Sequence, residues 1–377
     1  MTQPARHVLI TGANGFIGKN LKVRLSELPG FSVLTFVRGD DLGQLPAKVA
    51  QADAVIHLAG ENRPQDESAF DQVNTGLLAA LCDAIDQEVS ATGRTVPLLL
   101  ASSTQADLDN AYGRSKLAAE QAVRALAEAT GNPVVVFRLP GVFGKWCRPH
   151  YNSVVATFCH NIARDLPIQI NDPAARLRLV YADDVVSALI AALESPVAGL
   201  VQGEVQPEYA TTLGELAEQI RAFGDCRATL QIERVGTGFV RALYATYVSY
   251  LPSGKFAYEV PQHADSRGIF VEMLKTPDCG QFSYFTAHPG VTRGGHYHHT
   301  KTEKFLVMTG QALFRFRHLL TNELVELRTS GEKAQVVDTI PGWVHDITNV
   351  GTNEMVVMIW ANENFDRQKP DTVASTL

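Results

Sequence analysis

Val8-Leu9-Ile10-Thr11-Gly12-Ala13-Asn14-Gly15-Phe16-Ile17-Gly18 is an apolar run that breaks into three glycines at three-residue spacing. The run predicts a buried strand, and the residues after Gly18 predict a helix. Glycine lets a backbone turn sharply and come close to a pyrophosphate, which the free N–H groups and dipole of a helix N-terminus then hold. A glycine triplet alone is weak evidence. With a strand before it and a helix after it, the stretch reads as a dinucleotide cradle made by Gly12, Asn14, Gly15, Phe16, Ile17 and Gly18.

The rhythm around this turn repeats it. Short apolar runs at His7–Thr11, Val33–Val37, Ala54–Leu58, Leu98–Ala101 and Val134–Arg138 alternate with amphipathic stretches at Leu21–Leu28, Thr75–Asp86 and Ser115–Glu128. This pattern predicts a doubly wound α/β domain, a parallel sheet of Rossmann type covered by crossover helices, over residues 1–245. From about Ser253 short strand-like runs such as Gln281–Ala287, Lys304–Val307, Ala312–Arg317 and Met355–Trp360 lie between glycines and turns. They predict an all-β barrel or jelly roll over residues 253–377. Gly236–Pro252 reads as the join. No internal repeat or low-complexity tract is present.

The chain has 377 residues, 45% hydrophobic and 19% charged, enough for two sizeable cores. A net charge of -7 argues against nucleic acid or an anionic membrane as a partner. Five cysteines, odd in number and without CxxC spacing, indicate neither a disulfide framework nor a cysteine zinc site and suit the cytoplasm. No apolar run approaches the ~20 residues of a membrane span, and the start of the chain runs straight into a strand, so a soluble, unprocessed protein without membrane insertion is expected.

Arg38 stands twenty residues after Gly18, at the end of the second strand. A carboxylate there would take the adenosine ribose hydroxyls, whereas arginine suits the 2′-phosphate of NADP, so NADPH is favoured over NADH although Asp40 and Asp41 follow. Leu58, Ala59 and Gly60, closing what reads as a fourth strand at Ala54–Gly60, are expected to line the cofactor. Tyr112 and Lys116, four residues apart on one helix, share a face. An ammonium beside a phenol lowers its pKa, so Tyr112 can protonate a carbonyl oxygen as hydride reaches carbon. Ser103, ending the Leu98-Leu99-Leu100 strand, is placed to hydrogen-bond the same oxygen.

Thr11–Gly18, Ser103, Tyr112-Gly113-Arg114-Ser115-Lys116 and Arg138-Leu139-Pro140-Gly141-Val142-Phe143-Gly144 resemble the extended short-chain dehydrogenase/reductase superfamily over about 240 residues. The resemblance implies an NAD(P)-dependent enzyme of sugar nucleotides, with Leu139 beside the cofactor. One departure is that only eight residues separate Ser103 from Tyr112, so the loop that closes one side of the substrate is short. Lys145, Arg148 and Asn152 fall where such enzymes hold the sugar nucleotide, and Arg176 or Arg178 is a candidate to grip the diphosphate.

In the second domain Gly290, His296, His298, Glu303 and Gly310 are spaced G-x5-H-x-H-x4-E-x6-G, and Pro341-Gly342-Trp343-Val344-His345 follows. His296 and His298 alternate on a strand and so face one side, where Glu303 and His345 can join them around zinc or another divalent transition metal. The pattern resembles the cupin fold. Arg293-Gly294-Gly295-His296-Tyr297-His298 also resembles cupin-type deoxysugar epimerases, some of which use a histidine base without metal, so His296 is ligand or base. His299 and Lys301 are further acid/base candidates.

A reductase followed by a cupin, carrying Gly144-Lys145-Trp146-Cys147-Arg148-Pro149 and His296-Tyr297-His298-His299-Thr300-Lys301-Thr302-Glu303-Lys304-Phe305, resembles the bifunctional CapF/WbjC family of capsular-polysaccharide and O-antigen enzymes. That implies a UDP-2-acetamido-2,6-dideoxy-4-keto-hexose as substrate. The cupin would epimerise C3, and the reductase would reduce the C4 ketone to UDP-N-acetyl-L-talosamine on the way to UDP-N-acetyl-L-fucosamine. Reductases of this type pair through helices and cupins through strands, which implies a homodimer. Two other classes stay open: a plain reductase whose cupin binds only sugar or metal or acts as a dioxygenase, and an NAD-retaining 4-epimerase or dehydratase. Arg38 speaks against the NAD-retaining reading, and Thr104 and Gln105 stand where a dehydratase wants an acid.

Overall fold

The computed structural model describes residues 5–61, 76–265, 268–271, 273–274, 276, 280–363 and 368–377. Thr75, the first residue of the predicted Thr75–Asp86 helix, and Cys279, one of the five cysteines, lie outside them. The first elements are β1 (Arg6–Thr11), α1 (Phe16–Ser26), β2 (Phe31–Phe36), α2 (Leu45–Gln51), β3 (Ala54–His57), α3 (Gly76–Thr92), β4 (Leu98–Ser103), α4 (Ala111–Thr130), β5 (Val134–Leu139) and β6 (Gly141–Phe143). Next come α5 (Val154–Ile162), β7 (Arg176–Tyr181), α6 (Ala182–Glu194), β8 (Leu200–Gly203), β9 (Glu208–Thr212), α7 (Leu213–Thr229) and α8 (Gly238–Ser249). Strands then follow one another: β10 (Ala257–Glu259), β11 (Gln262–Asp265), β12 (Gly268–Val271), β13 (Gln281–Ala287), β14 (Thr292–Tyr297) and β15 (Glu303–Thr309). The last are β16 (Gln311–His318), β17 (Leu324–Ser330), β18 (Gln335–Asp338), β19 (Trp343–Asn349), β20 (Met355–Ala361) and β21 (Val373–Ala374).

The chain divides into two compact units, Met1–Ser153 with Leu177–Ala210, and Val154–Arg176 with Thr211–Leu377. In the first, a parallel sheet has the order β2-β1-β3-β4-β5-β8. Alternation along its strands makes two cores. Leu9, Val55, Leu98, Leu100 and Val136 bury one face together with residues of α2, α3 and α4. Val8, Ile10, Ile56, Leu99 and Phe137 bury the other together with residues of α1 and α6. This is the expected doubly wound sheet. Ala54–His57 is its third strand in chain order and not a fourth, because among the described residues the span between Phe36 and Ala54 holds only helical turns.

The second unit contains two five-stranded sheets, β10-β18-β15-β20-β13 and β17-β16-β19-β14-β21. The pairings are antiparallel, the all-β architecture expected of a cupin. Along β16, Ala312, Phe314 and Phe316 point inward at every second residue. Helices α5, α7 and α8 belong to the same unit. The supposed join holds α8, whose residues Ala242 to Val248 are all buried. Phe223 of α7 packs edge-on against Tyr244 of α8, ring centroids 5.1 Å apart. Asp338 of β18 binds Lys304 of β15 at 2.6 Å and Arg227 of α7 at 2.7 Å, an almost fully buried charge group that ties a helix to the strands.

Candidate functional site

In the first unit the site grows from the turn after β1. Gly12 has φ +69°, and a Cβ there would come 2.6 Å from the Ala59 nitrogen. A Cβ on Gly18 would meet the Gly12 carbonyl oxygen at 2.5 Å, so both positions exclude side chains. The Gly15 N–H donates to the Gly12 oxygen at 2.8 Å. α1 starts at Gly15 with no side-chain cap and no acidic residue in its first turn. Its end thus offers donors and a positive dipole without a competing carboxylate, which suits a pyrophosphate. Phe16 and Ile17 form that first turn, and Asn14 accepts from Lys22 at 3.0 Å. Leu58, Ala59 and Gly60 follow β3 directly, and Ala59 lies against Gly12. The residues present fit a dinucleotide.

Arg38 is exposed and pairs with Glu61 at 2.7 Å. The other oxygen of Glu61 accepts from the Tyr151 hydroxyl. Glu61 escaped the sequence reading, although it directly follows Gly60.

Ser103, buried, closes β4 beside Leu139 of β5. Tyr112 and Lys116 lie on the first turns of α4, which Asn110 caps by accepting from the Gly113 N–H at 2.8 Å, worth about 1 kcal/mol. A Cβ on Gly113 would lie 2.3 Å from the carbonyl oxygens of Gln105 and Leu108. The eight-residue link therefore packs directly on the helix start.

Lys116 Nζ donates to the Ala101 carbonyl at 3.2 Å and sits 5.8 Å from the Tyr112 ring centre. Burial lowers the Lys116 pKa to about 8, with Glu120 opposing. The Tyr112 phenol is raised rather than lowered: burial dominates, and its hydrogen bond with Ser103 pulls the other way. The lowering expected from lysine is not seen, because desolvation sets the direction, and the phenol keeps the proton it needs as a donor. His57 bonds Thr11 Oγ1 at 2.9 Å and is held neutral, its pKa lowered to about 3 by burial and then by Lys116. Glu120, at helical spacing after Tyr112 and Lys116, binds Arg138 at 2.7 Å. It too went unread.

Lys145 is buried, with Nζ on Asp183 at 2.7 Å and its carbonyl oxygen accepting from Asn20 at 3.2 Å. It holds the loop rather than offering a free cation. Arg148 is exposed over the Tyr151 ring at 5.3 Å, and Asn152 is exposed beside it. Arg178 is exposed and forked onto Glu208, whereas Arg176 is exposed at the start of β7.

In the second unit His296, His298, Glu303 and His345 converge, with one donor atom from each lying within 4.8 Å of the others. A bulge in β14 between Gly294 and His296 turns the strand at this point. The ring centres of His296 and His345 are 4.7 Å apart, and those of His296 and His298 are 5.0 Å apart. Burial lowers His296 to about 4, helped by His345 and His298, and burial also lowers His345. Burial pushes Glu303 up, but His298, His345 and Lys301 hold it well below the usual range. Neutral imidazoles beside a carboxylate are the state that binds a divalent ion. Among the described residues the Nε2 of buried His345 makes no short hydrogen bond, with Glu303 standing 3.7 Å away, and a cation between them would satisfy it. The donors fit zinc or a related ion. His299 and Lys301 flank the group, and Lys301 Nζ lies 2.9 Å from Glu303.

Residues 8–206 match the NAD dependent epimerase/dehydratase family, and residues 263–373 match the polysaccharide biosynthesis C-terminal domain. The chain is 55% identical over 370 residues to UDP-2-acetamido-2,6-beta-L-arabino-hexul-4-ose reductase of Pseudomonas aeruginosa, covering 98% of both chains. It belongs to the CapF/WbjC family. The crystal structure of the capsular polysaccharide assembling protein CapF from Staphylococcus aureus is similar over 98% of this chain and 100% of that one, at 39% identity and a TM-score of 0.64. The Bordetella bronchiseptica enzyme WbmF, solved with NAD+, shares the fold over 59% of this chain and 79% of its own at 20% identity and a TM-score of 0.51. Among the described residues no helix of this CapF/WbjC chain is long and apolar enough to cross a membrane.

Proposed function

We propose that this chain is a sugar-nucleotide reductase and epimerase that acts on a UDP-2-acetamido-2,6-dideoxy-4-keto-hexose. One observation carries the reading: Ser103, Tyr112 and Lys116 meet at the end of β4 in a chain 55% identical, almost end to end, to a UDP-sugar ketoreductase. Chemistry is assigned to residues 1–245 for reduction and 253–377 for epimerisation. NADPH, when bound, supplies the hydride.

The chain's own residues do the rest. Gly12, Gly15 and Gly18 leave the backbone open to the pyrophosphate, and Arg38 meets the 2′-phosphate. Leu58, Ala59, Gly60 and Leu139 line the cofactor. Ser103 holds the C4 oxygen, and Tyr112, kept protonated by burial, delivers its proton there. Lys116 supports the phenol from the same helix face. Arg148, Asn152 and Arg178 are the candidates for the substrate side. Arg178 must first release Glu208, and Lys145 contributes by anchoring the loop that carries Arg148 and Asn152.

The C3 proton is acidic only while C4 is a ketone, because the carbanion is then stabilised as an enolate. Epimerisation therefore precedes reduction. His296, His298, Glu303 and His345 would hold the metal, zinc first among candidates, and His296 acts as ligand or as base. A divalent ion supplies Lewis acidity or clasps the barrel, and C3 exchange after metal removal separates the two. The product read in this way is UDP-N-acetyl-L-talosamine, toward UDP-N-acetyl-L-fucosamine for capsule or O-antigen. The active species is read as a cytoplasmic homodimer, which light scattering tests.

Incubation with UDP-4-keto sugars and NADPH, followed by NMR of the product, tests the proposal. Inverted C3 with a C4 hydroxyl is expected. A C4 alcohol with unchanged C3 would reduce the chain to a plain reductase, and no NADPH oxidation on any such sugar would overturn the reading.

A further inference from the structure

The last residues of the chain are built into the proposed metal centre. β21 runs beside β14 with Ala374 opposite His296 and Val373 opposite Tyr297, and the Ser375 N–H donates to the Gly295 oxygen at 2.9 Å. Just before β21, the carboxylate of Asp371 accepts from three successive backbone N–H groups: His299 at 2.9 Å, Thr300 at 2.6 Å and Lys301 at 2.7 Å. It also accepts from the Thr300 hydroxyl at 3.0 Å. The next two N–H groups are taken as well, Thr302 by Asn362 Oδ1 at 2.9 Å and Glu303 by Thr339 Oγ1 at 2.8 Å. Every backbone N–H from 299 to 303 is thus held by a side chain, and Asp371 holds three of the five.

A second contact acts on a ligand directly. The backbone carbonyl of Asp371 bonds His298 Nδ1. A carbonyl only accepts, so Nδ1 carries a proton, which leaves Nε2 as the nitrogen that a metal ion would take. Nε2 is the nitrogen turned to Glu303, 3.2 Å away. Without these bonds the segment between His298 and Glu303 would keep three unsatisfied donors, and His298 could adopt either tautomer.

We infer that Asp371 is a positioning residue of the metal centre, fixing the His298 tautomer through its carbonyl and the spacing of His298 and Glu303 through its carboxylate. The inference rests on the metal reading proposed above. Full-length wild type, Asp371→Ala and Asp371→Asn, stripped with a chelator, are titrated with cobalt(II) and followed by d–d absorption, with NADPH binding read on the same samples. Asp371→Ala should bind cobalt about 10- to 100-fold more weakly, with shifted bands and unchanged NADPH affinity. Both variants keep the backbone carbonyl; Asp371→Asn also keeps one side-chain acceptor oxygen and should fall between. Wild-type cobalt affinity and spectrum in Asp371→Ala, even with a lower unfolding temperature, would mean a merely structural tail and overturn the inference alone. Should Asp371→Ala fail to fold, wild-type behaviour of Asp371→Asn does the same. A wild-type chain that takes up no cobalt overturns the metal reading and this inference together.

Discussion

Lys116 and Glu303 are both charged groups drawn out of water, and their surroundings treat them in opposite ways. Lys116 has a backbone carbonyl at its ammonium, and burial brings its pKa down to about 8. Glu303 is packed among two imidazoles and an ammonium that overcome burial and keep it ionised. Desolvation therefore prevails at Lys116, whereas at Glu303 the neighbouring groups outweigh it and keep the negative charge. The proposed site for proton transfer and the proposed site for holding a cation differ less in residue types than in how far each buried charge is compensated.

The sharpest way to break this contrast is to remove one activity at a time. Tyr112→Phe should lower NADPH oxidation by about 10²- to 10⁴-fold, yet without NADPH in deuterated water it should still exchange the C3 proton of the 4-keto sugar nucleotide. His296→Ala should lose that exchange and still bind NADPH. Loss of exchange in folded Tyr112→Phe, or its survival in His296→Ala, would sink the division of labour.

Next in size, His345→Ala and Glu303→Ala should each weaken metal binding while leaving NADPH affinity unchanged. Full metal occupancy in both variants would remove the proposed ligand set. Arg38→Glu should weaken NADPH roughly tenfold or more, since charge-assisted bonds are worth ~1.5–3 kcal/mol, and should spare NADH. Equal losses for the two cofactors would take the 2′-phosphate away from Arg38.

The smallest effect concerns His57. Its folded pKa, about 3, lies below the ordinary imidazole value of 6.5, so on acidification the unfolded chain binds the proton first. The stability due to neutral His57 is present above pH 6.5 and declines as pH falls toward 3, by at most about 1.4 kcal/mol per pH unit. Denaturant unfolding at pH 7, 6 and 5 should show a shallower acid decline in His57→Gln, and identical slopes would count against the buried neutral imidazole.

What the sequence disclosed was local. Three glycines between strand and helix, a tyrosine and lysine one turn apart, and two histidines alternating on a strand each carry their geometry in their spacing. Partners distant in the chain left no such mark. Nothing near Lys145 announces Asp183, thirty-eight residues on, and nothing near Arg178 announces Glu208, so both cations read as ligands in waiting. α8 was read as a join because its aromatic and small residues are buried nearly all round and show no polar face. The direction of the Tyr112 shift is hidden for a related reason, since burial depends on the whole fold and the neighbouring lysine does not.

The second compact unit takes up residues Val154–Arg176 before the first is finished at Ala210. No single cut in the gene can therefore separate the two. A fragment starting at Ser253 would lack α5, α7 and α8, and would leave buried Asp338 without Arg227. Separating the two units takes three cuts, after Ser153, Arg176 and Ala210, and a rejoining of the two segments of each unit.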